Sequence, residues 1–255
     1  MIRFSALPFL LATIFALLYS FGIIGFSAEG PGLQYWSAAV SDWHFYQSIV
    51  FSVSIAGLST LLSFIFALFL NRKINFLLYF PLVLPPIVIG FIFFYLLGNS
   101  GLFSRIAYAL GWIKDLNEFP WLIHDPFGVG IVIALTFSMT PFFALYLSHI
   151  YKNENIEKME AIAESLGATK TYIFNQITFP MLLLKSKNIL FLYFIFALGS
   201  YEIPLLLGSS HPQMITPFIL EKITRFNLND IPVGYAMTVM IMLIIGGGFL
   251  LRPKP

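Results

Sequence analysis

Ser100 lies in the tetrapeptide Gly98-Asn99-Ser100-Gly101, a GxSG spacing that can present a serine hydroxyl as a nucleophile. Such a serine needs a base within hydrogen-bond reach, and His149 is the candidate. The elements that must hold the two argue against the pairing. Ser100 falls at the outer end of one bilayer-length apolar run and His149 near the inner end of the next, so hydrocarbon roughly 30 Å thick separates them. GNSG is therefore read as the turn that follows a helix. His44, His124 and His211 are scattered between apolar runs and make no metal-ligand set. Cys is absent, which excludes disulfides, thiol nucleophiles and thiolate metal sites. No GxxxxGK followed by Ser or Thr occurs, so the chain supplies no phosphate-cradling loop and is not expected to hydrolyse ATP. No catalytic residue, metal or cofactor is assigned, and no nucleic-acid partner is expected.

The composition explains why hydrocarbon enters the argument. The 255 residues are 58% apolar and 10% charged, with 29 Phe, and the mean hydropathy is +0.86. That exceeds what a soluble core needs. Apolar runs at about 4–28, 46–70, 76–97, 128–150, 188–207 and 232–251 are each long enough to cross a bilayer. The expected fold is an all-α membrane protein, one transmembrane domain over 1–255 with six helices and lipid as its surroundings. The first run exceeds the roughly 7–15 residues of a signal peptide's apolar region and is read as a retained helix.

Orientation follows the basic residues. With a cytoplasmic N-terminus, Arg3, Arg72, Lys73, Lys152, Lys158, Lys170, Lys185, Lys187, Arg252 and Lys254 fall inside, against Arg105, Lys114, Lys222 and Arg225 outside. Both termini are expected to be cytoplasmic. Trp36, Trp43, Trp112 and Trp121 fall in the outer loops near helix ends, as interfacial aromatics do. In the second run, Ser48, Ser52, Ala56, Ser59, Ser63 and Ala67 form a small-residue stripe that lets helices approach closely in lipid. Pro81, Pro85 and Pro86 interrupt the third run, and a bent helix is expected there. Glu202 is the one acidic residue within a run, beside Tyr201 and Pro204. A carboxylate at that depth is costly and faces a cavity or a partner, and Pro204 would permit a kink where helices line water.

The long polar interruption, 151–187, has local helix grammar. Ile156 to Leu166 reads as a short helix with Ile156, Met159, Ile162, Ala163 and Leu166 on one side and Glu157, Lys158, Glu160 and Glu164 on another. Gly167 fits the left-handed position that ends a helix. Thr169 can cap a second short helix through Phe174, and Pro180 starts the entry to the fifth span. The product is a compact helix-turn-helix at the membrane surface.

AIAESLGATKTYIFNQITFP, residues 161–180 with the acid just before them, resembles the EAA loop of permease subunits of binding-protein-dependent ABC importers. That pattern is EAA, three residues, Gly, nine residues, Ile, one residue, then Leu-Pro. It falls here on Ala161, Ile162, Ala163, Gly167, Ile177, Phe179 and Pro180, with the typical Leu-Gly-Ala at Leu166 to Ala168. Ala161 stands where the family has Glu, and Glu160 lies one position earlier, about 100° around a helix. The resemblance runs from about Gln47 to Leu250, and ALGSYEIPLLLG, 197–208, is similar to the fifth helix of the polyamine, ferric-iron, thiamine and sulfate or molybdate branches.

The resemblance implies a type I ABC importer permease fold in a bacterial or archaeal cytoplasmic (inner) membrane. It implies three partners: cytoplasmic ATPase subunits, a second permease forming a homo- or heterodimer, and an extracytoplasmic solute-binding protein. Met159, Glu160, Ala161, Ala163, Glu164, Leu166, Gly167, Ala168, Ile177 and Pro180 would form the loop that docks on the ATPase. Tyr201, Glu202, Pro204, Pro85 and Pro86 would border the solute pathway. The solute would be a polyamine, ferric iron, thiamine or an oxyanion. The alternative is a secondary transporter driven by an ion gradient, a class that places ionisable residues near the midplane in repeated halves; here Glu202 alone qualifies.

Overall fold

A computed structural model describes residues 7–25, 31–70, 76–225 and 227–250, and every regular element among them is helical. Arg3, Arg72, Lys73, Arg252 and Lys254 of the charge count lie outside the described residues. Contacts divide the chain into two units, Met1–Ser52 with Pro212–Pro255, and Val53–His211.

In the first unit, α1 (Leu7–Ser20) packs on α13 (Asp230–Leu250). Phe15, Tyr19 and Tyr235 join them, with the two tyrosine rings 4.7 Å apart. The first helix is shorter than the expected run 4–28, of which 4–6 and 26–28 lie outside the described residues. It stops at Ser20 because Gly22 and Gly25 follow at φ +67° and +123°. A Cβ on Gly25 would lie 2.6 Å from the Tyr19 ring, so glycine is required where the chain folds back on the helix. Two further helices, α2 (Gln34–Ser41) and α12 (Ile215–Thr224), pack on α13. Ser52 Oγ accepts the Ile215 N–H at 2.7 Å, one orphan donor of the α12 N-terminus.

The division falls within α3 (Trp43–Leu70). The second unit is arranged on α7 (Val129–Asn153), the most enclosed of the long helices. Its Ile131, Leu135, Met139, Phe143 and Leu147 recur every four residues and are at most 1% exposed. Asp125 starts this helix by accepting the Phe127 and Val129 N–H groups at 3.1 and 3.0 Å. Pro141 lies within it. One turn before that proline, the Thr140 hydroxyl donates to the Thr136 carbonyl at 2.6 Å, and the Ser63 hydroxyl, which donates to Ser59 O at 2.7 Å, lies 3.3 Å from the same Thr136 oxygen. All six members of the Ser48-to-Ala67 stripe are buried, which makes it a packing face.

The third expected run, 76–97, divides as the prolines require. A 3-10 turn, Phe76–Tyr79, leads into α4 (Phe80–Val83), and α5 (Pro86–Leu97) begins after a break at Leu84 and Pro85. Leu84 is extended because a residue before proline is driven out of the helical region. GNSG forms the turn between α5 and α6 (Leu102–Ala109), as expected.

The fifth run, expected at 188–207, is corrected at both ends. Its helix, α10 (Phe179–Leu198), is continuous with the helical turns before it, so the apolar helix extends from Lys170 to Leu198. The polar residues Lys185 to Asn188 lie inside it, and backbone helicity does not end where side chains become polar. It stops at Gly199, and Glu202 opens a separate helix, α11 (Glu202–Leu207). The break thus precedes Glu202 and Pro204, and Pro204 occupies the first turn of α11, where its missing N–H has no role.

An ion pair closes the first unit. Asp42 accepts from Lys222 Nζ at 2.5 Å and from the His44 N–H at 3.0 Å, with the two charged side chains only 16% and 17% exposed. Burial raises the Asp42 carboxyl, but the Lys222 hydrogen bond and charge, with the His44 N–H, hold it below its ordinary value of 3.8. Its stabilisation is therefore complete above that value and lost as pH falls through the lowered one. Asp42→Asn is expected to lower the unfolding free energy in detergent by about 1.5–3 kcal/mol at neutral pH. The variant should also lose the decline in stability that the parent shows below about pH 4.

Candidate functional site

The segment after α7 is built from a reversal, a helix and a capped turn. Asn155, at φ +52°, turns the chain between α7 and α8 (Ile156–Ser165), a left-handed conformation that Asn tolerates. Ile156 is fully buried and anchors the start of α8. At the other end Gly167 has φ +83°; its N–H donates to Glu164 O and that of Ala168 to Ala163 O, at 2.9 and 3.0 Å. These paired bonds form the Schellman closure, which favours glycine at that position. Thr169 Oγ accepts the Tyr172 N–H at 3.4 Å and caps α9 (Lys170–Ile173).

Beyond Ile173 the structure departs from the sequence reading. Phe174–Thr178 form a π turn in which the Phe179 N–H reaches Phe174 O, five residues back. The wider turn makes room immediately before Pro180, whose ring would crowd the carbonyl four residues earlier in an α-helix. Instead of breaking the chain, Pro180 is absorbed, and α9 continues through the π turn into α10.

Glu160 is turned inward. One carboxylate oxygen accepts from Tyr151 Oη at 2.6 Å and the other from Thr178 Oγ at 2.5 Å, which ties α7, α8 and the π turn together. Thr178 and Ile173 beneath it are buried. The carboxylate that lies nearest the family's Glu position thus serves contacts within this chain. Ala161, one position on, is exposed. Neither Tyr151 nor Thr178 was singled out from the sequence; they lie nine residues before and 18 residues after Glu160, at no helical spacing.

The outward face is apolar with charge at its edge. Leu166 is 82% exposed and Ile162 61%, with Met159, Tyr172 and Phe174 also exposed and Glu157, Lys158 and Glu164 around them. Ala163, Ala168, Ile177 and Pro180 are half-buried. An exposed ion pair, Glu154 to Lys185 at 2.8 Å, adds little at this surface.

Of the expected pathway residues, Glu202 and Pro86 come together in a cavity of about 320 Å³, with Ser138 of α7 and Ser200 of the break before α11. Gly90 of α5 faces α11: a Cβ there would meet Leu206 Cδ1 at 2.8 Å, so a larger residue would require the Leu206 side chain to move, while Glu202 O at 3.7 Å is at ordinary contact distance. Tyr201, half-buried, precedes α11; Pro204 is buried; Pro85 is exposed at the α4–α5 break. None of these three lines the cavity. Non-helical backbone at this depth, Gly199 to Tyr201, is tolerated where it borders such a cavity.

Residues 69–251 match the model of the family described as "Binding-protein-dependent transport system inner membrane component". The chain belongs to this family. It is a multi-pass membrane protein, with five helices among the described residues long and apolar enough to cross a bilayer and α1 as a shorter apolar helix. The Molybdenum transport system permease protein ModB of Mycobacterium tuberculosis is 25% identical over 175 residues, 69% of this chain and 62% of that protein. The Ferric transport system permease protein FbpB of Actinobacillus pleuropneumoniae is 29% identical over 178 residues, 66% of this chain and 25% of that protein. The family member described here therefore spans about three fifths of ModB and a quarter of FbpB. A crystal structure of a bacterial ABC transporter that imports the acidic polysaccharide alginate shares the fold: TM-score 0.71 at 15% identity, over 99% of this chain and 93% of that one.

The inward clamp carries a structural expectation. Glu160→Gln or Thr178→Val should lower amide-exchange protection across 156–168 by about tenfold, the size expected for one charge-assisted hydrogen bond. Glu157→Gln, on the exposed side, should leave protection unchanged.

Proposed function

We propose that the chain is the membrane-spanning permease subunit of an ATP-driven importer. It forms the solute pathway with a second permease and takes solute from an extracytoplasmic binding protein, in a bacterial inner membrane with both termini cytoplasmic. It has no chemistry of its own; energy comes from cytoplasmic ATPase subunits that dock on α8 and its Gly167 turn. The observation that carries this reading is the two-sided character of that element within a chain of this family. One face is bound by Ile156, Glu160 and Ile173 to its own helices, and the other exposes Met159, Ile162, Leu166 and Tyr172. An exposed apolar cluster rimmed by charge marks an interaction surface. Because α8 is joined directly to α7 and, through α9 and the π turn, to α10, movement of a docked partner would be passed to two spans as a rigid-body shift.

The pathway reading rests on Glu202. It is the charged residue of the α5–α7–α11 cavity, with the Ser138 and Ser200 hydroxyls beside it. A carboxylate there suits a cationic solute and opposes an oxyanion in a low-dielectric setting.

Leu166→Glu and Ile162→Glu are expected to abolish co-purification of the ATPase subunits while the permease itself is produced normally. Gly167→Pro should leave ATP hydrolysis running but uncouple it from uptake, because the closing bonds of α8 are lost. Uptake into vesicles that continues without ATP and collapses with an ionophore would instead establish a gradient-driven transporter.

Glu202→Gln should lower uptake of a cationic solute by roughly tenfold or more, the effect of losing one charge-assisted contact. ATPase docking should be unaffected. An unchanged uptake rate would remove Glu202 from the pathway.

A further inference from the structure

Another cavity in the second unit is larger than the one at Glu202. It is a groove of about 1030 Å³ at the opposite end of α7 from α8, walled by Tyr95, Tyr108 and Trp121 and carrying Arg105, Lys114 and Asp115. Asp115 is its one lining acid against two cations, and the Glu118 carboxylate, which accepts the Lys114 N–H at 2.8 Å, lies beside it. Among the described residues neither Arg105 nor Lys114 is ion-paired; Arg105 Nε donates to Ser100 O at 3.1 Å, which leaves its two terminal nitrogens directed elsewhere. That bond depends on the tight GNSG turn, in which a Cβ on Gly101 would come within 2.3 Å of Tyr95 O.

The surrounding helix places the groove at a lipid surface. The backbone leaves the helix after Leu97, and non-helical backbone exposed beside apolar surface belongs at the headgroups rather than in hydrocarbon. There α6 buries the small residues Ser104 and Ala107 and exposes Leu102, Phe103, Ile106 and Tyr108, followed by exposed Leu110 and Trp112. A helix in water would not present that face, whereas one lying in the membrane interface does. Exposed Trp and Tyr rings belong at the same level. The cations therefore sit where phosphate groups are concentrated, beside apolar surface that acyl chains would cover.

We infer that this groove binds the headgroup of an anionic phospholipid, its phosphate held by Arg105 and Lys114 and its chains lying along the exposed face of α6. The Arg105 guanidinium and the Lys114 ammonium are the groove's cationic donors for phosphate oxygens, and the aromatic walls accommodate the glycerol and chain segments. Neither the docking element nor the Glu202 cavity takes part.

Native mass spectrometry of the full-length chain, purified in detergent with equal phosphatidylglycerol and phosphatidylcholine, tests the assignment. The parent should retain phosphatidylglycerol preferentially. A chain carrying Arg105→Gln and Lys114→Gln should lose that retention by about 25-fold, from roughly fivefold per cation. The charge-conserving pair Arg105→Lys and Lys114→Arg should keep it, as should Lys170→Gln at the other membrane face. Equal retention of both lipids by the parent, or undiminished phosphatidylglycerol on the double variant, would overturn the proposal. Thermal protection by inorganic phosphate but not by phosphatidylglycerol vesicles would assign the groove to a free anion instead. Loss of binding-protein affinity in the double variant with lipid retention intact would assign it to an acidic protein surface, which also overturns it.

Discussion

A backbone N–H or C=O left without a partner in hydrocarbon costs several kcal/mol, and this requirement governs the whole chain. It makes every described element a helix and then decides how each helix treats its prolines. At Pro141 the helix α7 continues without a break. At Pro180 it continues again, through a π turn. At Pro85 it breaks, because Leu84 cannot stay helical before a proline. The same imino acid thus has three outcomes.

Packing in lipid has a second consequence. Apolar side chains gain nothing from association alone there, so closeness of approach matters more than hydrophobicity. The buried stripe from Ser48 to Ala67, and Gly90 against α11, are places where small residues bring backbones together. Near the second of these, Pro86, Ser138, Ser200 and Glu202 share one space. A break in the helix at Gly199 supplies the irregular backbone that borders it. The candidate pathway is therefore a result of packing geometry rather than of any local motif.

The polar element between α7 and α10 follows a different logic, since it is held by charge-assisted bonds rather than by dispersion. Glu160 is the single group that touches Tyr151 and Thr178 at once. By occupying its carboxylate inward, the chain leaves Ile162 and Leu166 as the outward signal. A partner that reads this surface meets apolar side chains first and charges at the rim.

Much of this was legible in one dimension. The apolar helices, the glycine stop at 167 and the Thr169 cap are local properties, because helix formation, capping and left-handed φ depend on a few consecutive residues. The short helix 156–165 and its resemblance to a known loop were legible for the same reason. Legibility failed where a neighbour intervened. Hydropathy started the fifth span at Asn188 and carried it past Gly199, since it measures side-chain polarity and not whether the backbone stays hydrogen-bonded. The inward turn of Glu160, the absorption of Pro180 and the meeting of Glu202 with Pro86 depend on groups distant in sequence. The sequence alone determined that this is a helical membrane chain with a capped polar element between two of its spans. Tertiary structure decided which carboxylate faces inward, which proline breaks a helix and which residues share a cavity, because hydrogen-bond partners and contact distances exist only once the helices are packed.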